Sequence, residues 1–76
     1  MPDEPRASGK VQRVYPERGF GFIRCTDGGD VGEDYFFHMN SLEDCRIEEL
    51  ESGSPVTFAM RQAPRGRRAE RVQRAW

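Results

Sequence analysis

The chain has 76 residues, 36% hydrophobic and 33% charged, with a formal net charge of −1. A chain this short is one small domain that buries roughly 60% of its unfolded surface, which excludes a deep catalytic cleft and leaves function to an exposed face. It has no apolar run long enough for a signal peptide or a membrane span, so neither a membrane nor a small-molecule substrate is expected as a partner.

In chain order, "MPDEPRAS" (Met1–Ser8) is polar with two prolines and reads as a disordered leader, with the domain over 9–74. "KVQRVY" (Lys10–Tyr15) reads as a first strand and "PERG" as a turn, since proline presets φ and glycine permits a positive one. "FGFIRCT" (Phe20–Thr26) is a second strand, followed by the acidic, turn-rich "DGGDVGED". "YFFHM" (Tyr35–Met39), made of strong β-formers, is a third. "NSLEDCRIEELESGS" is longer and less regular, with room for a helical turn opened by Asn40 or Ser41. "PVTFAMRQ" (Pro55–Gln62) and "AERVQRA" (Ala69–Ala75) are the fourth and fifth strands, joined by the loop "APRGRR". Five short strands without a covering helix predict an all-β fold, a small five-stranded antiparallel barrel, because closure removes the open sheet edges.

Charge is unevenly placed. Met1–Arg24 carries +2, Cys25–Glu51 carries −8 and Arg61–Arg74 carries +5. A basic stripe can meet phosphates even when the total charge is near zero. Eleven of the 12 basic residues are arginine, whose planar fork can both stack and bind phosphate.

The stretch "RGFGFI" alternates glycine with phenylalanine. Strand parity puts Phe20 and Phe22 on one face, with Gly21 and Ile23 on the other. With Ile23 in the core, both phenylalanines face outward. Phe36 and His38 share one parity in the third strand. If the two strands pair, Phe20, Phe22, Phe36 and His38 form one flat patch on which bases can stack, flanked by Lys10, Arg13 and Arg18. The glycines let backbones approach where the barrel bends. The plainer alternative is that aromatic strands simply fill a core.

"GKVQRVYPERGFGFI" resembles the opening "GxVKWFNxxKGFGFI" of cold-shock domains, without a gap from Gly9 to Ile23. "DYFFH" (Asp34–His38) resembles the family's "DVFVH". "LESGSPVTF" (Leu50–Phe58) resembles its "LxxGxxVxF", and "RGRRAERV" (Arg65–Val72) its closing "RGPQAANV". The RNA-recognition motif shares the first hexamer, but there a helix and an earlier aromatic strand precede it, and here one strand does.

The resemblance implies a five-stranded OB-type barrel that binds single-stranded RNA or DNA without a cofactor or catalysis. Phe20, Phe22, Phe36 and His38 match the family's stacking residues, and Arg18 takes the place of a lysine. Asp34 matches an aspartate that can bond a base edge. Arg65, with Arg67 and Arg68 after it, lies where the bound strand passes. Arg13 stands in place of a stacking tryptophan, Met39 in place of an aromatic, and Ile47 in place of a loop phenylalanine. Together with the acidic loop, these departures imply weaker binding than is typical, and they would also suit a protein-interaction module on the same barrel.

Cys25 and Cys45 lack metal-ligand spacing, His38 is the only histidine, and the lone thiols fit a reducing cytosol. "TDGGDVGED" lacks the calcium-loop pattern and reads as a solvated turn. Trp76 is either frayed or a replacement aromatic.

Overall fold

The computed structural model describes residues 6–76. Its strands are β1 (Arg6–Tyr15), β2 (Phe20–Asp27), β3 (Asp34–His38), β4 (Pro55–Ala63) and β5 (Gly66–Arg74). They close into a barrel in the order β1-β2-β3-β5-β4. The all-β, five-stranded, OB-type barrel agrees with the sequence reading. Its pairings are antiparallel except at the closure, where β3 meets β5 in parallel. The long β3–β4 connection returns the chain so that β5 runs alongside β3 in the same direction.

One boundary differs. Arg6, Ala7 and Ser8, read as part of a leader, are strand residues paired with Ala59, Phe58 and Thr57 of β4. Ala7 is small enough to point inward and is buried, so a polar, proline-bearing stretch still contributes to the core. The rest of that leader lies outside the described residues.

Alternation fills the interior from β2 and β3. Ile23, Cys25, Tyr35 and Phe37 point inward and pack with Val11, Val56 and Phe58, the Tyr35 and Phe58 rings lying 5.0 Å apart. Two irregularities reset the alternation elsewhere. In β1 the register skips between Val11 and Arg13, so Lys10 and Arg13 both face outward although strict alternation would separate them. In β5, Arg71 adopts a left-handed φ of 52° opposite the skip between Thr57 and Ala59, which lets both Ala69 and Val72 point inward.

The β3–β4 connection carries two 3₁₀ turns, Met39–Ser41 and Ile47–Glu49. The first is capped by His38, ahead of the Asn40 or Ser41 that the sequence suggests, because the His38 ring accepts from the Asn40 N–H. The second buries Ile47. Ile47 is therefore a core residue rather than a loop-borne stacking surface.

Gly21 shows why glycine occupies the middle of β2. A Cβ there would lie 2.6 Å from the Arg13 carbonyl oxygen and 2.7 Å from Cζ of Phe37. Gly21→Ala should destabilise the fold by about 1–3 kcal/mol, the usual cost of overpacking, seen as a lower urea midpoint. An unchanged midpoint would show that Phe37 and β1 yield freely.

Candidate nucleic-acid interface

Cross-strand pairing of β2 with β3 sets Phe20 opposite His38, Phe22 opposite Phe36 and Arg24 opposite Asp34 on the outer face. β1 extends this face with Arg13 opposite Phe22 and Tyr15 opposite Phe20. Four rings come together, with centroids 5.3 Å apart for Tyr15 and Phe20, 5.7 Å for Phe20 and Phe36, and 5.9 Å for Phe22 and Phe36. Residues read as outward are thus outward and adjacent, each half-buried by its neighbours.

The patch is not flat. Phe20 and Phe22 meet at 88°, Phe22 and Phe36 at 69°, and Phe20 and Phe36 at 34°. Ring quadrupoles favour such edge-on and tilted contacts over coplanar ones. Two guanidinium groups cover the patch from opposite sides. Arg13 Cζ lies 5.1 Å from the Phe22 centroid, and Arg68 Cζ from β5 lies 5.4 Å from that of Phe36.

Tyr15 was not among the residues singled out from the sequence. Alternation from Lys10 places it on the wrong face. Its spacing of two from Arg13, which the family resemblance put on the binding face, is the signal that would have found it.

Beside Phe22 and Phe36 opens a cleft of about 540 Å³, walled by Arg65 of the β4–β5 turn and by Arg67 and Arg68 at the start of β5. Arg67 does not point freely into it. Its guanidinium donates to Asp30 at 2.8 Å and lies 3.6 Å from Glu33, and the hydrogen bond to Asp30 raises its pKa above the usual arginine value. The β2–β3 loop is folded back by the bonds of Gly32 N–H to the Cys25 carbonyl and of Cys25 N–H to the Glu33 carbonyl. That fold brings its carboxylates onto the arginine turn. Asp34 is likewise engaged, accepting from Arg24 at 3.2 Å.

Most other charges also pair within the chain. Arg46 faces Glu48, Arg61 faces Glu70, Arg71 faces Glu43 and Arg74 faces Asp44. The hydrogen bond from Gln73 holds the Glu43 carboxyl below its usual pKa. Arg6 donates to Thr57 and to the Arg71 carbonyl. Among the described residues, Arg6, Lys10, Arg13, Arg18, Arg65 and Arg68 have no carboxylate within ion-pair distance. Arg6 is held by Thr57 and the Arg71 carbonyl; the other five are residues that the sequence places at the interface.

The remaining sequence candidates lie elsewhere. Trp76 is exposed, with Arg74 Cζ 5.8 Å over its ring, and joins no ring of the patch. Met39 is exposed, with its side chain against Gly19. Cys25 is buried, and burial pushes the Cys45 thiol up, so it stays protonated. Among the described residues no group of three His, Cys, Asp or Glu side chains converges as a metal site. No helix among them is long and apolar enough to cross a membrane.

An aromatic outer face edged by cations that lack acidic partners, on an OB-type barrel, is the build of a nucleic-acid-binding domain. Residues 7–75 match the family model of the 'Cold-shock' DNA-binding domain. The chain is 41% identical over 66 residues to cold shock protein ScoF of Streptomyces coelicolor, covering 87% of this chain and 94% of that one. It is 36% identical over 67 residues to cold shock protein CspC of Bacillus subtilis, covering 88% and 96%. The solved structure of Drosophila Unr CSD456 superposes with a TM-score of 0.74 at 26% identity, over 96% of this chain and 28% of that longer one. The chain belongs to the cold-shock domain family, a family of nucleic-acid-binding proteins not known as enzymes.

The acidic loop holds an arginine that a phosphate would otherwise attract. Replacing Asp30 with Asn and Glu33 with Gln together should raise affinity for a single strand. It should also steepen the log–log salt dependence by about 0.7, one added phosphate contact. Unchanged affinity and slope would mean that Arg67 stays away from the ligand even when released.

Proposed function

We propose that this chain binds single-stranded RNA or DNA with little overall sequence preference, keeping such strands unpaired as an RNA chaperone would. It is a binding module and not an enzyme. Bases stack on Tyr15, Phe20, Phe22, Phe36 and His38, while Lys10, Arg13, Arg18, Arg65 and Arg68 meet the phosphates. The observation that carries this reading is the sorting of charge. Asp30, Glu33, Asp34, Glu43, Asp44, Glu48 and Glu70 sit in internal pairs, whereas the cations without acidic partners, Arg6 apart, are those the sequence places around the aromatic face. The same sorting weakens the protein-module reading, because Asp30, Glu33, Asp34, Glu43 and Asp44 are already paired. The free thiols Cys25 and Cys45 suit a cytoplasmic setting.

Fluorescence anisotropy of a labelled heptathymidine, titrated at two salt concentrations, tests the reading. Binding should weaken with salt by a slope of about 0.7 per phosphate contact. No binding at high micromolar protein would overturn it.

Two variants separate the face from the core. Phe22→Ala should weaken binding by about 1–3 kcal/mol, one base stack, with a modest change in melting temperature. Phe37→Ala should lose about 3–5 kcal/mol of stability, as buried phenylalanines do. A large stability loss in Phe22→Ala with unchanged affinity would make Phe22 a core residue instead.

A further inference from the structure

We propose that Arg68 gives the stacking position at Phe36 a preference for guanine. The inference rests on the single-strand reading above and refines it at one position. Phe36 and Arg68 are direct partners in the parallel closure of the barrel. Arg68 lies over the Phe36 ring, at the wall of the open cleft. Its guanidinium is placed by that ring and not by any acid, and its Nε is buried without a hydrogen-bond partner. A buried donor left unpaired is unfavourable, so an arriving acceptor gains more here than at a satisfied site.

Around this position the cationic and ring side chains offer donors, and the nearest carboxylates are already engaged by arginines. Asp34 accepts from Arg24, Asp30 and Glu33 hold Arg67, and Nδ1 of His38 accepts from the Asn40 N–H. The free ring nitrogen of a neutral His38 is therefore its N–H. Arg13 and Arg65 add only donors. A base edge that meets Arg68 has to bring the acceptors, because the guanidinium has only donors. Guanine presents O6 and N7 side by side, the spacing of an arginine fork. Thymine and uracil present O4 alone on that edge. Adenine and cytosine present an amino group, a donor facing donors. When guanine stacks on Phe36, the guanidinium moves from the ring face to the base edge, and Nε with one Nη takes N7 and O6. Glutamine, which stands at this place in the closing family pattern, carries a donor and an acceptor and suits any edge. Arginine carries only donors and discriminates.

The test uses labelled heptathymidines in which a single thymine is replaced by guanine at each position in turn, read by anisotropy at fixed salt. At one position guanine should bind at least about fivefold tighter than thymine, the lower end for a bidentate pair. Replacing that base with 7-deazaguanine should cancel the gain, and adenine there should bind more weakly than thymine. Arg68→Gln should lower affinity for both strands and level their ratio. Arg68→Lys keeps the charge without the fork and should level the ratio while keeping the salt slope. No position favouring guanine, or a preference that survives in both variants, would overturn the inference. Heptathymidine binding with no guanine effect would overturn this assignment alone, whereas failure to bind any strand would overturn the single-strand reading beneath it.

Discussion

The Phe37 ring packs against the bare Cα of Gly21, and the outer face depends on that contact. Only a residue without a Cβ lets the ring and the Arg13 backbone come so close. The close approach draws β1, β2 and β3 into one tightly curved surface. Phe37 then occupies the interior beside Ile23 and Tyr35. Parity does the rest: with Gly21 and Ile23 inward, Phe20 and Phe22 have no interior to enter, and they meet Phe36 across the β2–β3 ladder. The glycine–phenylalanine alternation is thus one device with two faces, a thin inner surface that permits curvature and a thick outer one that collects rings.

Electrostatics completes what packing begins. The chain is nearly neutral in total, yet its charges are not interchangeable. Within the acidic stretch, Asp30, Glu33, Asp34, Glu43 and Asp44 pair with arginines of β2 and β5. Exposed ion pairs of this kind contribute little stability each. Their consequence is to remove both partners from the surface potential. Beside the rings, Arg13 and Arg68 keep an unbalanced positive charge. A net charge of −1 therefore conceals a cationic face, which screening confines to short range at physiological salt.

The second and third strands, their facing and the ring set Phe20, Phe22 and Phe36 were readable from sequence because uninterrupted alternation has one solution once Ile23 is inward. The first and fifth strands were less so. The skip after Val11 and the left-handed Arg71 each reverse parity, and no local propensity marks them. Arg13 is placed beside the patch as a flanking charge and by family resemblance at a stacking position, while Tyr15, which follows from the same skip, was missed. Ala7 was hidden by its polar neighbours, since burial of so small a side chain leaves no hydrophobic pattern. The engagement of Arg67 by Asp30 and Glu33 links positions 37 residues apart, through a loop whose fold is set by backbone bonds that carry no sequence signature.

The guanidinium groups over Phe22 and Phe36 also set how the face behaves without ligand. Exposed rings in a contiguous patch invite association with other apolar surfaces. A cation over each ring adds charge and steric cover to the patch. A cation–π contact at an exposed site contributes about 0.5–1 kcal/mol, less than the roughly 1–3 kcal/mol of a base stacked on an aromatic ring. A base can therefore displace the guanidinium from the ring face. On the single-strand reading proposed above, the displaced group would stay on its own strand at the edge of the stacked base. The same side chain would act first as a cover and then as a contact, so the loss of one interaction would be offset by the gain of another. Such an exchange would make arginine at positions 13 and 68 a different solution from a fixed aromatic or amide: it would lower the net gain from each stack and couple stacking to the charge of the strand.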